Sequence, residues 1–245
     1  MKAAPACVAI VPARYGSTRF PGKPLALLAG KPVIQHVVER AQAAGVFDAV
    51  WVATDDERIV NAVHAAGGEA RLTRADHATG TERIAELAAD LPAESLVLNV
   101  QGDEPLVPPE LLQDLMRTLR EAPEIGMLTA AHPAHDAAGF ASPHVVKVVV
   151  DAGGRALYFS RAGIPHPRAA APEYLRHVGV YGFRRATLSR FVALPPGRLE
   201  IREGLEQLRA LEHGISIHVL LTPHETIGID TPADLEAVAR RLGTA

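Results

Sequence analysis

Through the first half of the chain, short apolar runs alternate with longer segments whose apolar residues recur every three or four positions. A short apolar run bounded by turn residues predicts a buried strand, and the longer period predicts a helix with one apolar face. Strands are predicted at Cys7 to Val11, Ala49 to Ala53, Glu69 to Leu72, Leu96 to Val100 and Met127 to Ala131. Between them, "PVIQHVVERAQAAG" sets Val33, Val37, Ala41 and Ala44 on one face and leaves Glu39 and Arg40 to solvent. Pro32 suits a first helical position and Gly45 suits the stop. "DDERIVNAVHAAGG" repeats the design, and "TERIAELAADL" and "PPELLQDLMRTLREA" follow. "TPADLEAVARRL" adds a late helix, with Thr231 as its cap and Pro232 just inside.

Strand–helix–strand alternation implies an α/β fold: a mostly parallel central sheet with helices on both faces. Right-handed crossovers then put the strand C-termini on one edge, where ligands bind. The pattern changes at about 145–184. Val145 to Val150, Ala156 to Phe159 and Val178 to Phe183 read as strands with no long helix among them. "RAGIPHPRAAAPEY" interrupts them as a surface loop. This region is expected to form a smaller β-rich lobe within a single domain spanning 1–245. A last strand is predicted at Ser216 to Leu221.

Bulk properties narrow the class. The 245 residues are 48% hydrophobic, enough for one sizeable core. Twenty-five basic and 28 acidic residues are spread along the chain, and no basic tract suggests nucleic acid as a partner. No apolar run approaches the roughly 20 residues that span a bilayer. Cys7 is the single cysteine, which excludes an intrachain disulfide and fits a reducing, cytoplasmic location. Lys2 and "AAPACVAIVPA" only faintly resemble a secretion signal, because Pro5 and Pro12 interrupt them.

The candidate chemistry begins where the first strand ends. "RYGSTRFPGKPL" brings Arg14, Arg19 and Lys23 together with Gly16 and Gly22. Three cations suit a polyphosphate, arginine can grip it with paired bonds, and the glycines permit close backbone approach. The same residues would also suit a solvated basic turn. A Walker A loop is excluded: the glycines stand one residue too far apart, and Pro24 replaces the magnesium-binding hydroxyl. "NVQGDEPL" then carries Asp103 and Glu104 out of the strand Leu96 to Val100, to the same sheet edge. "TIGIDTPADLE" presents Asp230 just ahead of a helix, where alone it fits a cap as well as a ligand. Two carboxylates, Asp103 and Asp230, converging beside a polyphosphate loop suggest a magnesium site.

"IVPARYGSTRFPGKPL", "RADHATGTERIAE", "NVQGDEPLV", "LRHVGVYGFR", "LEQLRALEHG" and "GIDTPADLE" occur in an order that resembles the 3-deoxy-D-manno-octulosonate (Kdo) cytidylyltransferases, over nearly the whole chain. The first and last motifs are shared with other sugar nucleotidyltransferases. "TGTER" combined with "HVGVY" and "LEQLR" is more specific. Phe20 departs from the usual Leu, "IPHPR" replaces a Trp-containing version, and the loop near Ala169 is short.

The resemblance implies a nucleotide-diphospho-sugar transferase fold, Mg2+, a homodimer, and transfer of CMP from CTP to Kdo for lipopolysaccharide assembly. It places Ala13, Arg14, Arg19 and Lys23 on the phosphates of CTP. Arg74, Thr79, Gly80 and Thr81 fall on base and ribose, although "TGTER" would supply a helix cap in any case. Asp103 and Asp230 would hold metal. Gln101, His177, Tyr181, Glu206 and Gln207 fall on the sugar, with Arg161 toward its carboxylate. On a strand, a His or Tyr also serves plain packing; Glu206 and Gln207 are expected to open a helix, and "LEQLR" is a common helical string. A cytidylyltransferase for 8-amino-Kdo or a sialic-type acid would keep the nucleotide loops and alter "HVGVY" and "LEQLR". A non-catalytic sugar-nucleotide sensor would not need both aspartates. His132 and His135 lack partners for a zinc set.

Overall fold

The computed structural model describes residues 7–16, 19–168 and 172–243. Ser17 and Thr18 of the basic loop, Ala169, and residues 1–6, which hold the start of the signal-like segment, lie outside the described residues. The strands are β1 (Cys7–Ala13), β2 (Leu27–Leu28), β3 (Lys31–Pro32), β4 (Ala49–Thr54), β5 (Glu69–Leu72), β6 (Leu96–Asn99), β7 (Met127–Ala134), β8 (Lys147–Val150), β9 (Ala156–Ser160), β10 (Tyr174–Arg184) and β11 (His218–Leu221). The helices are α1 (Val33–Ala43), α2 (Glu57–Ala65), α3 (Gly80–Ala88), α4 (Pro109–Glu121), α5 (Ala137–Ala141), α6 (Arg185–Val192), α7 (Arg198–Glu203), α8 (Leu208–Glu212) and α9 (Pro232–Arg241).

The main sheet runs in the order β11-β7-β10-β6-β1-β4-β5. β1 pairs parallel with β4 and β6, and β4 pairs parallel with β5. Their C-terminal ends therefore share one edge. β10 runs antiparallel to both β6 and β7, and β11 rejoins β7 in parallel. The sheet is mostly parallel, as the alternation predicts. The β-rich lobe is an extension of it: β8 pairs with the start of β10, and β9 pairs with β8.

Two-residue periodicity in β1 builds both faces. Cys7, Ala9, Val11 and Ala13 pack on one side with Val37 of α1, Ile59 of α2 and Leu111 of α4. Val8 and Ile10 pack on the other with Ile84 of α3, Phe191 of α6 and Leu208 of α8. Each fully buried aliphatic side chain stabilises the fold by about 1.5–3 kcal/mol. A third cluster joins Val238 of α9 to Leu28, Val33 and Ile229. That contact carries residues 227–231 back to the loop after β1. Among the described residues, no helix is long and apolar enough to cross a membrane.

Local chemistry sets the boundaries. Thr79 caps α3 by accepting from the Glu82 amide, and Thr231 caps α9 by accepting from Asp234, whose carboxylate reaches back. Pro32 is the N-cap of α1 with extended backbone, not its first helical residue. Gln207 is the N-cap of α8, so Glu206 and Gln207 precede that helix, correcting the expectation that they open it. The 3-10 turn Lys23–Leu25, the β2–β3 ribbon and α5 to α7 carry no strong periodicity and are additions from the structure.

Candidate active site

The sheet edge at the ends of β1 and β6 opens into a cleft of about 310 Å³. Ala13, Arg14, Arg19, Lys23, Thr79, Gly80, Gln101, Asp103 and Asp230 line it, together with Pro12, Pro24, His77, Ala78, Arg83 and Gly102. Nine of the sequence-predicted residues thus share one cleft.

Its floor requires glycine. A Cβ on Gly102 would stand 2.6 Å from the Pro12 carbonyl oxygen, so the loop after β6 passes against the end of β1 backbone to backbone. Gly22 has φ 73°, and its amide donates to Tyr15 O at 2.9 Å. The chain wraps the Tyr15 ring, on whose face the Arg58 guanidinium lies 3.4 Å from the centroid. This closes the basic loop and turns Lys23 inward.

The Lys23 ammonium donates to Asp103 Oδ2 at 2.7 Å and to Ile229 O at 2.7 Å, and lies 3.8 Å from Asp230 Oδ1. Arg19 reaches the same Asp230 oxygen at 3.0 Å. The Ile229 amide donates to Asp103 O at 2.8 Å, tying the two acidic segments by their backbones. Two carboxylates far apart in sequence thus face a single cation. Among the described residues, no three His, Cys, Asp or Glu side chains form a closed cage. Magnesium is often held by only one or two carboxylates, with waters and substrate phosphates completing the shell. The pair Asp103 and Asp230, bridged by Lys23 with Arg19 also on Asp230, fits that requirement.

Glu104 and Arg83 were missed as site residues by the sequence reading, and so was His77. Arg83 is 3% exposed; it pairs with Asp55 at 3.1 Å and donates to Thr73 Oγ1 and Arg74 O, joining the ends of β4 and β5 to α3. His77 bonds to Glu86 behind the cleft wall. Glu104 is 8% exposed, and its Oε2 has no hydrogen-bond partner. Burial, then the neighbouring Asp103 charge, push its carboxyl up to about 8 against a Thr226 hydrogen bond. An arginine four residues past the Thr79 cap was the only sequence signal for Arg83; no pattern marks Glu104 as buried.

Glu104 gives a pH test. Its carboxyl keeps a proton in the fold that the unfolded chain releases near 4.5. A raised folded pKa contributes stability below 4.5 that is lost as pH rises through about 8. In metal-free protein, Glu104→Gln should match the wild type near pH 4.5 and exceed it by on the order of 2 kcal/mol at pH 7. Urea midpoints across that range measure the gap; a gap independent of pH would contradict the buried-acid account.

The residues placed on the sugar divide. Tyr181, Glu206 and Gln207 gather with Thr81 around a small cavity of about 20 Å³ beneath Phe183 and Phe191. Thr81 Oγ1 donates to Glu206 Oε2 at 2.6 Å. Thr79, on the cleft wall, also hydrogen-bonds that carboxylate, so Glu206 joins the two regions. Burial raises the Glu206 carboxyl above its ordinary value, against these two hydroxyls and the Arg209 charge. Tyr181 Oη and Glu206 Oε1 are buried with no hydrogen-bond partner. The His177 ring packs 5.4 Å from Tyr181 and edge-on to Phe159 at 5.1 Å. Simple alternation would put positions 177, 179 and 181 on one side; a bulge between Val178 and Tyr181 breaks it. Gly179 sits in the bulge, and a Cβ there would lie 3.8 Å from Gln101 Cγ and 3.7 Å from Glu104 Oε1.

Three predicted residues stand apart. The Arg74 side chain is exposed and paired with Asp76 at 2.9 Å, and does not line the cleft. Thr81 faces Glu206 from the first turn of α3 and does not line the cleft. Arg161 donates to the carbonyls of Pro143 and Glu203, and its amide to the Glu203 carboxylate.

A cytidylyltransferase family model matches residues 8–217, most of the chain and all of the cleft except the Asp230 segment. The chain belongs to the cytidylyltransferase family. It is 56% identical over 230 residues to a 3-deoxy-manno-octulosonate cytidylyltransferase from Anaeromyxobacter dehalogenans (strain 2CP-C), covering 93% of each chain. A protein of the same name from Syntrophobacter fumaroxidans (strain DSM 10017 / MPOB) is 54% identical over 236 residues, covering 94% of each. Among solved structures, CMP:2-keto-3-deoxy-manno-octonic acid synthetase complexed with CTP superposes with a TM-score of 0.91 at 45% identity, covering 97% of this chain and 98% of that one. A 4-diphosphocytidyl-2C-methyl-D-erythritol synthase from Anaerococcus prevotii DSM 20548, at 16% identity and a TM-score of 0.64, shares the fold alone.

Proposed function

We propose that this cytidylyltransferase transfers CMP from CTP to the anomeric hydroxyl of Kdo, releasing pyrophosphate, for lipopolysaccharide assembly. One observation carries the reading: Asp103 and Asp230 meet at the Lys23 ammonium inside the cleft lined by Arg14 and Arg19. That is the arrangement required to gather a triphosphate and neutralise charge on its leaving pyrophosphate.

In this reading Arg14, Arg19 and Lys23 bind phosphate oxygens, and Lys23 exchanges part of its carboxylate contact for phosphate. Asp103 and Asp230 would hold Mg2+, which when bound supplies charge neutralisation and lowers the pKa of a coordinated hydroxyl. Thr79, Gly80 and Ala13 line the nucleoside side. Gln101 stands between this cleft and the β10 bulge. Tyr181, Glu206 and Gln207 offer unfilled polar capacity to a polyhydroxylated acid. Their cavity of about 20 Å³ holds little more than one water-sized group, so the sugar ring would lie at its mouth. We further propose that the protein works as a homodimer in the cytoplasm; the free, buried Cys7 is compatible with a reducing compartment.

The test is magnesium-dependent pyrophosphate release, run with CTP and Kdo and compared with UTP and with sialic acid. Release restricted to CTP and Kdo is expected. Preference for sialic acid would give the sugar reading to the other acids. No release with any pair would favour the sensor.

A further inference from the structure

β10 carries two more residues than β7 opposes between Val178 and Tyr181. The bulge turns two β10 carbonyls onto one side chain of β7. Thr129 is fully buried, and its hydroxyl oxygen lies 3.1 Å from Val178 O and 2.9 Å from Val180 O. The same oxygen lies 3.0 Å from His177 Nε2.

A hydroxyl has one proton and can otherwise only accept. Carbonyl oxygens can only accept. The Thr129 proton must therefore point at the carbonyls, since turning it to His177 would leave bare lone pairs facing each other in a buried site. The remaining contact works only if His177 Nε2 carries a hydrogen and donates to Thr129. Burial strongly disfavours the imidazolium, pushing the ring down to about 3. The ring is thus neutral, and its single proton is on Nε2. Nδ1 is left as a bare acceptor.

We propose that Thr129 is a positioning residue that locks His177 in the Nε2–H tautomer, so that Nδ1 accepts a hydrogen bond from a hydroxyl of the acidic sugar. The substrate half rests on the function proposed above. It assigns His177 to a sugar hydroxyl and not to the sugar carboxylate, because a bare nitrogen lone pair repels an anion. The ring is packed edge-on to Phe159 and tilted against Tyr181, and the His177 amide is tied to Val146 O at 2.9 Å.

Long-range 15N–1H NMR on the full-length, 15N-labelled protein at pH 7, with His177→Gln used for assignment, reads the tautomer directly. Wild type and Thr129→Ser should show Nε2 protonated and Nδ1 unprotonated. Thr129→Val should move the ring toward a mixture of tautomers and raise the KM for Kdo about tenfold, the KM for CTP staying within about twofold. Thr129→Ser should restore both readouts. A wild-type ring protonated on Nδ1, or on both nitrogens, overturns the proposal, and so does an unchanged tautomer in Thr129→Val. If Thr129→Val does not fold, the wild-type and Thr129→Ser spectra still decide the tautomer. A shifted tautomer with an unmoved Kdo KM overturns the hydroxyl contact. The spectra are recorded without substrate, so inactivity with CTP and Kdo would defeat the functional reading separately.

Discussion

Asp103→Asn should lower turnover with CTP and Kdo on the order of a thousandfold while the protein stays folded. Asn keeps the size of Asp and still offers Lys23 an oxygen, so the 2.7 Å contact survives as a weaker hydrogen bond. What disappears is one of two negative charges facing a single point. With Asp230 half-exposed, the remaining charge is the less desolvated of the pair and the weaker holder of a divalent cation. Loss of one well-placed electrostatic element in a catalytic site removes about 10²–10³ in rate, and loss of a metal-binding charge removes at least as much. Burst-free steady-state rates and a thermal melt on the same preparation check both halves. Near-normal turnover would remove Asp103 from the machinery. Magnesium titration separates the causes, since a lost ligand shifts the magnesium dependence and a displaced Lys23 shifts the KM for CTP.

The parallel half of the fold was legible because β1, β4 and β6 are apolar runs buried on both faces, and the charged edge strand β5 follows them in the same alternation with helices. Val8, Ile10 and Val11 announce β1 wherever they are read. β10 was only half visible: Arg176, His177 and Gly179 interrupt its alternation, and the bulge that explains them is a property of its pairing with β7. Helices α6, α7 and α8 are too short to show a period; α6 and α8 form because their apolar residues pack under the sheet, whereas α7 buries none of its residues and is held at its start by the Gly197 amide donating to Glu200. The basic loop and both cleft aspartates could be found, since charge and glycine at strand ends mark the ligand edge of a parallel sheet. The burial of Glu104 and the bond from Thr81 to Glu206, 125 positions along, depend on tertiary contacts and leave no local trace.

Arg209→Met should destabilise the protein by about 3–5 kcal/mol, more than any surface ion pair could contribute. Arg209 is 4% exposed and grips Glu200 with two bonds, Nε to Oε2 at 2.8 Å and Nη2 to Oε1 at 2.6 Å. Glu200 also accepts from the Gly197 amide at 2.9 Å, so this pair fastens α7 to α8 around the Glu206–Gln207 turn. Burial pushes the Glu200 carboxyl up, but the Arg209 and Gly197 bonds hold it below its ordinary value. Met fills much of the volume and supplies no charge, which leaves a carboxylate desolvated and unpaired. The sign of the pH dependence follows. In wild type the depressed carboxyl contributes stability above 4.5 that is lost as pH falls through its folded value. In the variant, burial acts unopposed and favours the protonated acid, so the deficit should be largest above about pH 5 and shrink as the solution is acidified. Glu200→Gln placed on Arg209→Met should recover a large part of the loss, because it removes the stranded charge. Urea unfolding of the single and double variants at pH 7 and pH 4 measures this coupling. A loss that the second substitution does not relieve would mean that packing against Phe191, not charge pairing, holds the Glu206–Gln207 turn.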